Sequence, residues 1–93
     1  MSSVVLGSRR FAMEDVESFA ELSGDFNPLH VDPVAARRAL YGEVVVHGVH
    51  SVLWALECWA ATLDEKCAWS HLKTEFKRHI RLGELVSCRL VEA

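Results

Sequence analysis

The sequence predicts an α+β fold, and two periodicities carry that prediction. Val49, Val52, Leu53, Leu56, Trp59, Ala60 and Leu63 recur at three and four residues, with Trp54, Ala55 and Cys58 leaving little polar surface between them. That pattern is an apolar helix, expected to be enclosed on most sides. From Leu72 the spacing changes to two: Lys73, Glu75, Lys77, His79 and Arg81 share one face, and Leu72, Phe76, Ile80 and Leu82 fall among the alternate positions. Such alternation is expected of a strand with one face in solvent. Gly83-Glu84 then turns the chain, and Leu85 to Val91 is expected to return as an antiparallel strand.

The N-terminal half is read in the same way. Val4 to Phe11 suits a first strand, and Glu14 to Leu22 a helix in which Val16, Phe19 and Ala20 share a face and Gly24 supplies the C-terminal cap. Asp32 caps and Pro33 starts a further helix through Ala35, Ala36 and Leu40, ending at Gly42. There is no repeat, low-complexity tract or linker-like run, so residues 1–93 are expected to form one domain.

Composition narrows the function classes. Hydrophobic residues make up 51% and charged residues 25%, a globular balance far from disorder. The formal net charge of −3 offers no basic field for nonspecific nucleic-acid binding. Three cysteines, Cys58, Cys67 and Cys88, cannot all pair within one chain and form no CxxC unit, so reduced thiols and a cytoplasmic location are expected. No export signal is recognised, and Glu57 interrupts the apolar segment, so no membrane span is expected. A 93-residue chain buries limited surface by itself, and association into a homodimer or larger homo-oligomer is expected on size.

The chemistry concentrates in Ser23-Gly24-Asp25-Phe26-Asn27-Pro28-Leu29-His30-Val31-Asp32, followed fifteen residues later by His47-Gly48. Asp25 and His30 are five positions apart, on opposite faces of a strand and about 140° apart on a helix. Regular structure keeps them apart, whereas a turn forced by Pro28 and loosened by Gly24 can converge them. Each also has a bland use: a turn aspartate bonds backbone amides, and a half-buried histidine satisfies a carbonyl. The His47-Gly48 block shifts the balance toward a reactive site.

These two blocks, with Phe19-Ala20, Ala36, Gly42 and Val46-His47-Gly48-Val49, resemble the MaoC-like dehydratases, the (R)-specific enoyl-CoA hydratases of the hot-dog fold. The resemblance runs from about Phe11 to the C-terminus, and its specificity lies between Ser23 and Gly48. It implies a single MaoC-like hot-dog domain: an antiparallel sheet wrapped around the central apolar helix, C-terminally short and lacking the last strands. It further implies hydration of trans-2-enoyl thioesters to (R)-3-hydroxyacyl thioesters, or the reverse, on acyl-CoA or acyl carrier protein substrates and with no cofactor. By that resemblance Asp25 and His30 activate the water, and the Gly48 amide, at the start of the apolar helix, holds the thioester oxygen. Asn27 is assigned to holding the loop.

Some relatives carry a helix serine that assists the thioester; Leu56 stands there in this chain, and Ser51 is one turn early. The alternatives are a noncatalytic acyl-thioester-binding or dimerisation module and, behind it, a thioesterase. His30, His47 and His50 raise the question of zinc, but no familiar ligand set is complete and no metal is expected; capping or core hydrogen bonding accounts for His47 and His50. Trp54, Trp59 and Trp69 are read as core rather than tunnel lining. Lys73, Lys77, Arg78 and Arg81 are candidates for coenzyme A phosphates or an acidic carrier surface, or simply a solvated face.

Overall fold

The structure is a computed structural model that describes residues 3–38, 43–65 and 70–91. In chain order it contains β1 (Ser3–Arg10), α1 (Met13–Ser23), α2 (Pro28–Val31), α3 (Pro33–Arg38), α4 (Gly48–Ala60) and β2 (Leu85–Val91). The expected strand and helices of the N-terminal half are present within a residue or two of their predicted ends. The predicted end of the third helix at Gly42, together with Cys67 and Trp69, lies outside the described residues.

α1 begins where the Asp15 carboxylate accepts the Ala12 amide at 2.7 Å, satisfying one of the donors a helix start leaves open. Arg9 holds the same carboxylate at 3.0 Å and lies 4.2 Å from the centre of the Phe11 ring. The helix ends at Gly24, whose φ of 79° is the left-handed conformation that glycine adopts without penalty. Asp32 caps α3 as expected, its Oδ1 accepting from Val34 N at 2.9 Å and Ala35 N at 3.3 Å.

The two strands form one antiparallel sheet with Ser3 opposite Val91 and Arg10 opposite Leu85, and an irregularity between Val5 and Gly7. β1 passes close over α4 at Gly7, where an added Cβ would lie 3.1 Å from Cys58 Sγ. The Cys88 thiol points the same way, donating to the Ala55 carbonyl at 3.7 Å; Cys58 and Cys88 are both free thiols. The core sits beside this contact: Phe11, Val16, Ala36, Val44 and Val46 are buried, with Met13, Val31, Trp54, Ile80, Leu82 and Val86 packed against them. Trp54 meets Phe11 edge-on at 6.1 Å, which bears out its reading as a packing residue.

Two expectations are corrected. The Leu72 to Leu82 strand does not form; the segment is irregular except for an isolated bridge between Val45 and Arg81. A strand needs a partner, and the Gly83-Glu84 turn does not fold β2 back on it. Instead Gly83 N donates to the Phe11 carbonyl at 3.0 Å and Arg10 donates to the Gly83 carbonyl at 2.6 Å, which docks the turn on the end of β1 and pairs β2 there. Nor is α4 enclosed: none of its residues is fully buried, and Val49 and Leu53 remain about half exposed. A two-stranded sheet covers one side of a helix, not its circumference. Among the described residues no helix is long and apolar enough to cross a membrane.

Candidate active site

Every element at the site is anchored by a nameable bond. Ser23 Oγ–H donates to the Phe19 carbonyl at 2.7 Å while Ser23 Oγ accepts the Asp25 amide at 3.2 Å, so the chain leaves α1 on a fixed course. Asp25 Oδ1 then accepts the Asn27 amide at 3.1 Å, an Asx turn that leaves Oδ2 unspent. The expectation of a turn throughout is met only as far as Asn27. Pro28 does not merely block α1 but opens α2, because the first helical position needs no amide and suits proline's fixed φ. That single turn of helix carries His30 round to face Asp25.

His30 Nδ1 lies 2.6 Å from the Val45 carbonyl, and since a carbonyl only accepts, Nδ1 carries the proton. Its Nε2 then presents a lone pair 3.9 Å from Asp25 Oδ2. That separation exceeds a hydrogen bond, and a water about 2.8 Å from each atom could bridge them. Both bland uses are therefore real: Asp25 bonds a backbone amide and His30 satisfies a carbonyl. Each residue does so with one atom and turns the other toward its neighbour.

Gly48 is the first residue of α4, where backbone N–H groups have no partner within the helix and the dipole is positive. It lines a recess of about 250 Å³ together with Phe19, Ser23, Asp25, His30, His47 and Val49. A larger cleft of about 540 Å³ shares His30, Gly48 and Val49 with it and is walled by Val45, Val46, Phe76 and Ile80, with Lys77 and Arg78 also lining it. Asp25, His30 and Gly48 thus converge on one recess that opens to an apolar cleft. Asn27 enters through its backbone: its amide holds Asp25 and its carbonyl accepts the His30 amide at 2.9 Å. Ser51 does not reach toward the dyad; its hydroxyl donates to the Gly48 carbonyl at 2.6 Å.

Of the two uses expected of His47, capping and core hydrogen bonding, the structure shows the second. His47 makes no side-chain cap to α4. It is 3% exposed, and its Nε2 lies 3.0 Å from the Asp25 carbonyl. Its ring stacks on His30 with centroids 4.0 Å apart, and Phe19 packs on it at 5.0 Å. The signal was available: an imidazole following Val44-Val45-Val46 continues a buried run. His50 stacks on Phe19 at 4.5 Å and edge-on to Phe11 at 5.0 Å; burial, and then Arg9, holds its pKa below the ordinary histidine value.

Asp25, His30 and His47 each offer one possible metal-ligand atom, all within 4.8 Å of one another. Yet His47 Nε2 faces a carbonyl and so bears a proton, and a metal would have to take that nitrogen from Asp25.

Known proteins resemble the chain in sequence and in fold. The family described as "MaoC like domain" matches residues 4–92. The chain belongs to the MaoC-like domain family. Among characterised relatives it is 43% identical over 49 residues to a mitochondrial 3-hydroxyacyl-[acyl-carrier-protein] dehydratase of Arabidopsis thaliana, covering 53% of this chain and 30% of that protein. It is 48% identical over 42 residues to the (R)-specific enoyl-CoA hydratase of Aeromonas caviae, covering 45% and 31%. The match therefore spans about a third of the length of these relatives.

Among solved structures, the A. caviae (R)-hydratase involved in PHA biosynthesis superposes with a TM-score of 0.84 at 29% identity, over 95% of this chain and 67% of that one. An unliganded R-hydratase from Pseudomonas aeruginosa gives 0.80 at 26%, over 95% and 57%. The MaoC-like chain is thus an α+β hot-dog fold with an antiparallel sheet, and its relatives are hydratases and dehydratases of acyl thioesters.

Proposed function

We propose that this MaoC-like chain hydrates trans-2-enoyl thioesters to (R)-3-hydroxyacyl thioesters, or runs the reverse dehydration, on coenzyme A or carrier-protein substrates. One observation carries the reading: Asp25 Oδ2 and His30 Nε2 face each other across 3.9 Å in a recess that also holds Gly48. Water addition needs a base for the water, an acid for the α-carbon and donors for the enolate oxygen. A water between Oδ2 and Nε2 loses a proton to the dyad as it attacks the β-carbon. The dyad returns a proton to the α-carbon on the same face, while the Gly48 amide takes the oxygen's charge.

The apolar wall of the larger cleft suits the acyl chain, and Lys77 and Arg78 on its lining, Arg78 also pairing with Glu84 at 3.3 Å, support a phosphate or an acidic carrier as the partner. Replacing Asp25 by Asn or His30 by Ala, with crotonyl-CoA as substrate, is expected to lower turnover by about 10²- to 10⁴-fold; the melting temperature should hold in the Asp25 variant and fall in the His30 variant, which gives up the bond to Val45 and the stack on His47. Wild-type turnover in both variants ends the proposal.

A noncatalytic thioester-binding module is the second reading, and Phe76 favours it. A Cβ on Gly48 would lie 2.8 Å from Phe76 Cε1, so the ring crowds the start of α4. Binding of crotonyl-CoA with no loss of the conjugated thioester's absorbance would select it. Val49, Leu53 and Phe76 are 57%, 49% and 58% exposed, which supports association with a second copy; a solution mass of one chain would refute that.

A further inference from the structure

We propose that His47 is a positioning residue of this site: through the Asp25 carbonyl and the face of the His30 ring, it sets the relation between carboxylate and imidazole. The inference rests on the hydratase reading, since positioning is argued for that reaction. His47 is the one buried polar side chain among the described residues. A buried imidazole is costly unless its polar atoms are used. Its Nε2–H is used on Asp25 at 3.0 Å, while Nδ1, buried with no partner, is left as the lone-pair nitrogen of that tautomer.

Both halves of the dyad are tied to the same short segment. His30 donates to the carbonyl of Val45, and Asp25 accepts from the side chain of His47, one residue before the Gly48 amide. The segment from Val45 to Gly48 therefore acts as a ruler against which carboxylate, imidazole and amide are spaced. His47 contributes a hydrogen bond to the Asp25 backbone, a stacked face 4.0 Å from His30 at 25°, and an Nε2 that lies 3.9 Å from Asp25 Oδ2, as far as His30 Nε2 does. The cap role is vacant, since its side chain makes no bond to the helix start. Without the Nε2–H donor, Asp25 keeps its Asx turn but loses the bond that seats the turn against α4. A displacement of about 1 Å at a reacting group costs on the order of 10²-fold in rate.

Two experiments test the proposal. Long-range ¹H–¹⁵N spectra of the wild type at neutral to mildly alkaline pH are expected to show the proton on Nε2 in His47 and on Nδ1 in His30. A His47 proton on Nδ1 would overturn the proposal whether or not the protein is an enzyme. The second compares H47F, which keeps a ring against His30 and Phe19 but no donor, with H47Q, which keeps a donor but no ring. With crotonyl-CoA, kcat is expected to fall about 10²-fold in H47F with KM within about twofold, and to stay within about tenfold of wild type in H47Q.

A role in packing alone reverses that order and overturns the proposal, as does an H47F enzyme equal to wild type. If the wild type shows no turnover, the hydratase reading fails separately. The Asp25 carboxyl and His30 ring signals then decide: shifts in H47F that H47Q largely restores support positioning, and unchanged signals in both refute it. Should H47F not fold, the wild-type tautomer and H47Q carry the test.

Discussion

Asp25→Asn is the substitution whose consequence is most fully determined by the geometry. Asparagine keeps the shape, and its Oδ1 can still accept the Asn27 amide, so the Asx turn that holds the loop survives. The change falls on the other atom. Oδ2, which faces His30 Nε2 at 3.9 Å, too far for a direct hydrogen bond, becomes an NH₂ group, a donor where a bridging water met an acceptor. The variant loses the carboxylate oxygen that would accept the water's proton, while His30 stays where it is. Loss of one acid–base group corresponds to about 10²- to 10⁴-fold, or roughly 2.7 to 5.4 kcal/mol on the barrier. Stability should hardly move, because the Asp25 side chain is 51% exposed and substitutions at such positions usually stay within about 0.5 kcal/mol. The assay follows loss of conjugated-thioester absorbance with crotonyl-CoA, alongside a melting curve on the same preparation. An Asn variant that retains more than about a tenth of wild-type kcat with an unchanged melt would refute the role given to the carboxylate. A lost rate with a clearly lowered melt would show instead that Asp25 is structural.

Two further outcomes follow from neighbouring contacts. Gly48→Ala puts a methyl 2.8 Å from Phe76 Cε1, and because that ring is 58% exposed it is expected to swing aside rather than break the fold. Turnover should fall by about 10²-fold through crowding of the amide while the melt changes little, and an Ala variant of full activity would remove Gly48 from the site. His50 has its pKa lowered in the folded chain, mainly by burial and then by Arg9. The unfolded chain therefore binds the proton more readily, and this contribution is complete above the ordinary value of 6.5 and lost as pH falls through the folded-state value. His50→Phe, which keeps a ring on Phe19, is expected to narrow the drop in melting temperature between about pH 7 and pH 5, and an unchanged drop would contradict the assignment.

Much of the site was legible because turn chemistry is local. Gly24 as a left-handed cap, Asp32 as an N-cap and Pro28 as a break after α1 depend on residues within a few positions, and their side chains encode them directly. Convergence of Asp25 and His30 followed from the same local rules, although the helical turn opened by Pro28 was missed because a proline reads first as a breaker. The failures are non-local. Alternation from Leu72 to Leu82 records which residues prefer an apolar side: Ile80 and Leu82 do pack on the core, while Leu72 and Phe76 stay about half exposed. Alternation cannot record which strand supplies the ladder, and β2 went to β1. The apolar circumference of α4 likewise states a demand for cover without naming what provides it.

The separation between what formed and what did not has a physical basis that bears on the chemistry. The bonds that define the site run from the α1–α2 loop and from α2 to the segment from Val45 to Gly48, and the buried Phe11, Val16, Ala36, Val44 and Val46 lie behind them. None of those bonds involves the sheet, and none crosses the exposed side of α4. The spacing of carboxylate, imidazole and amide is therefore a property of this core. Cover over the cleft is a property of Phe76 and of whatever meets Val49 and Leu53. A change on that exposed side, by mutation or by association, should alter substrate binding and leave the Asp25–His30 relation intact. A change at His47 should do the reverse, so the split between KM and kcat reports which of the two has been disturbed.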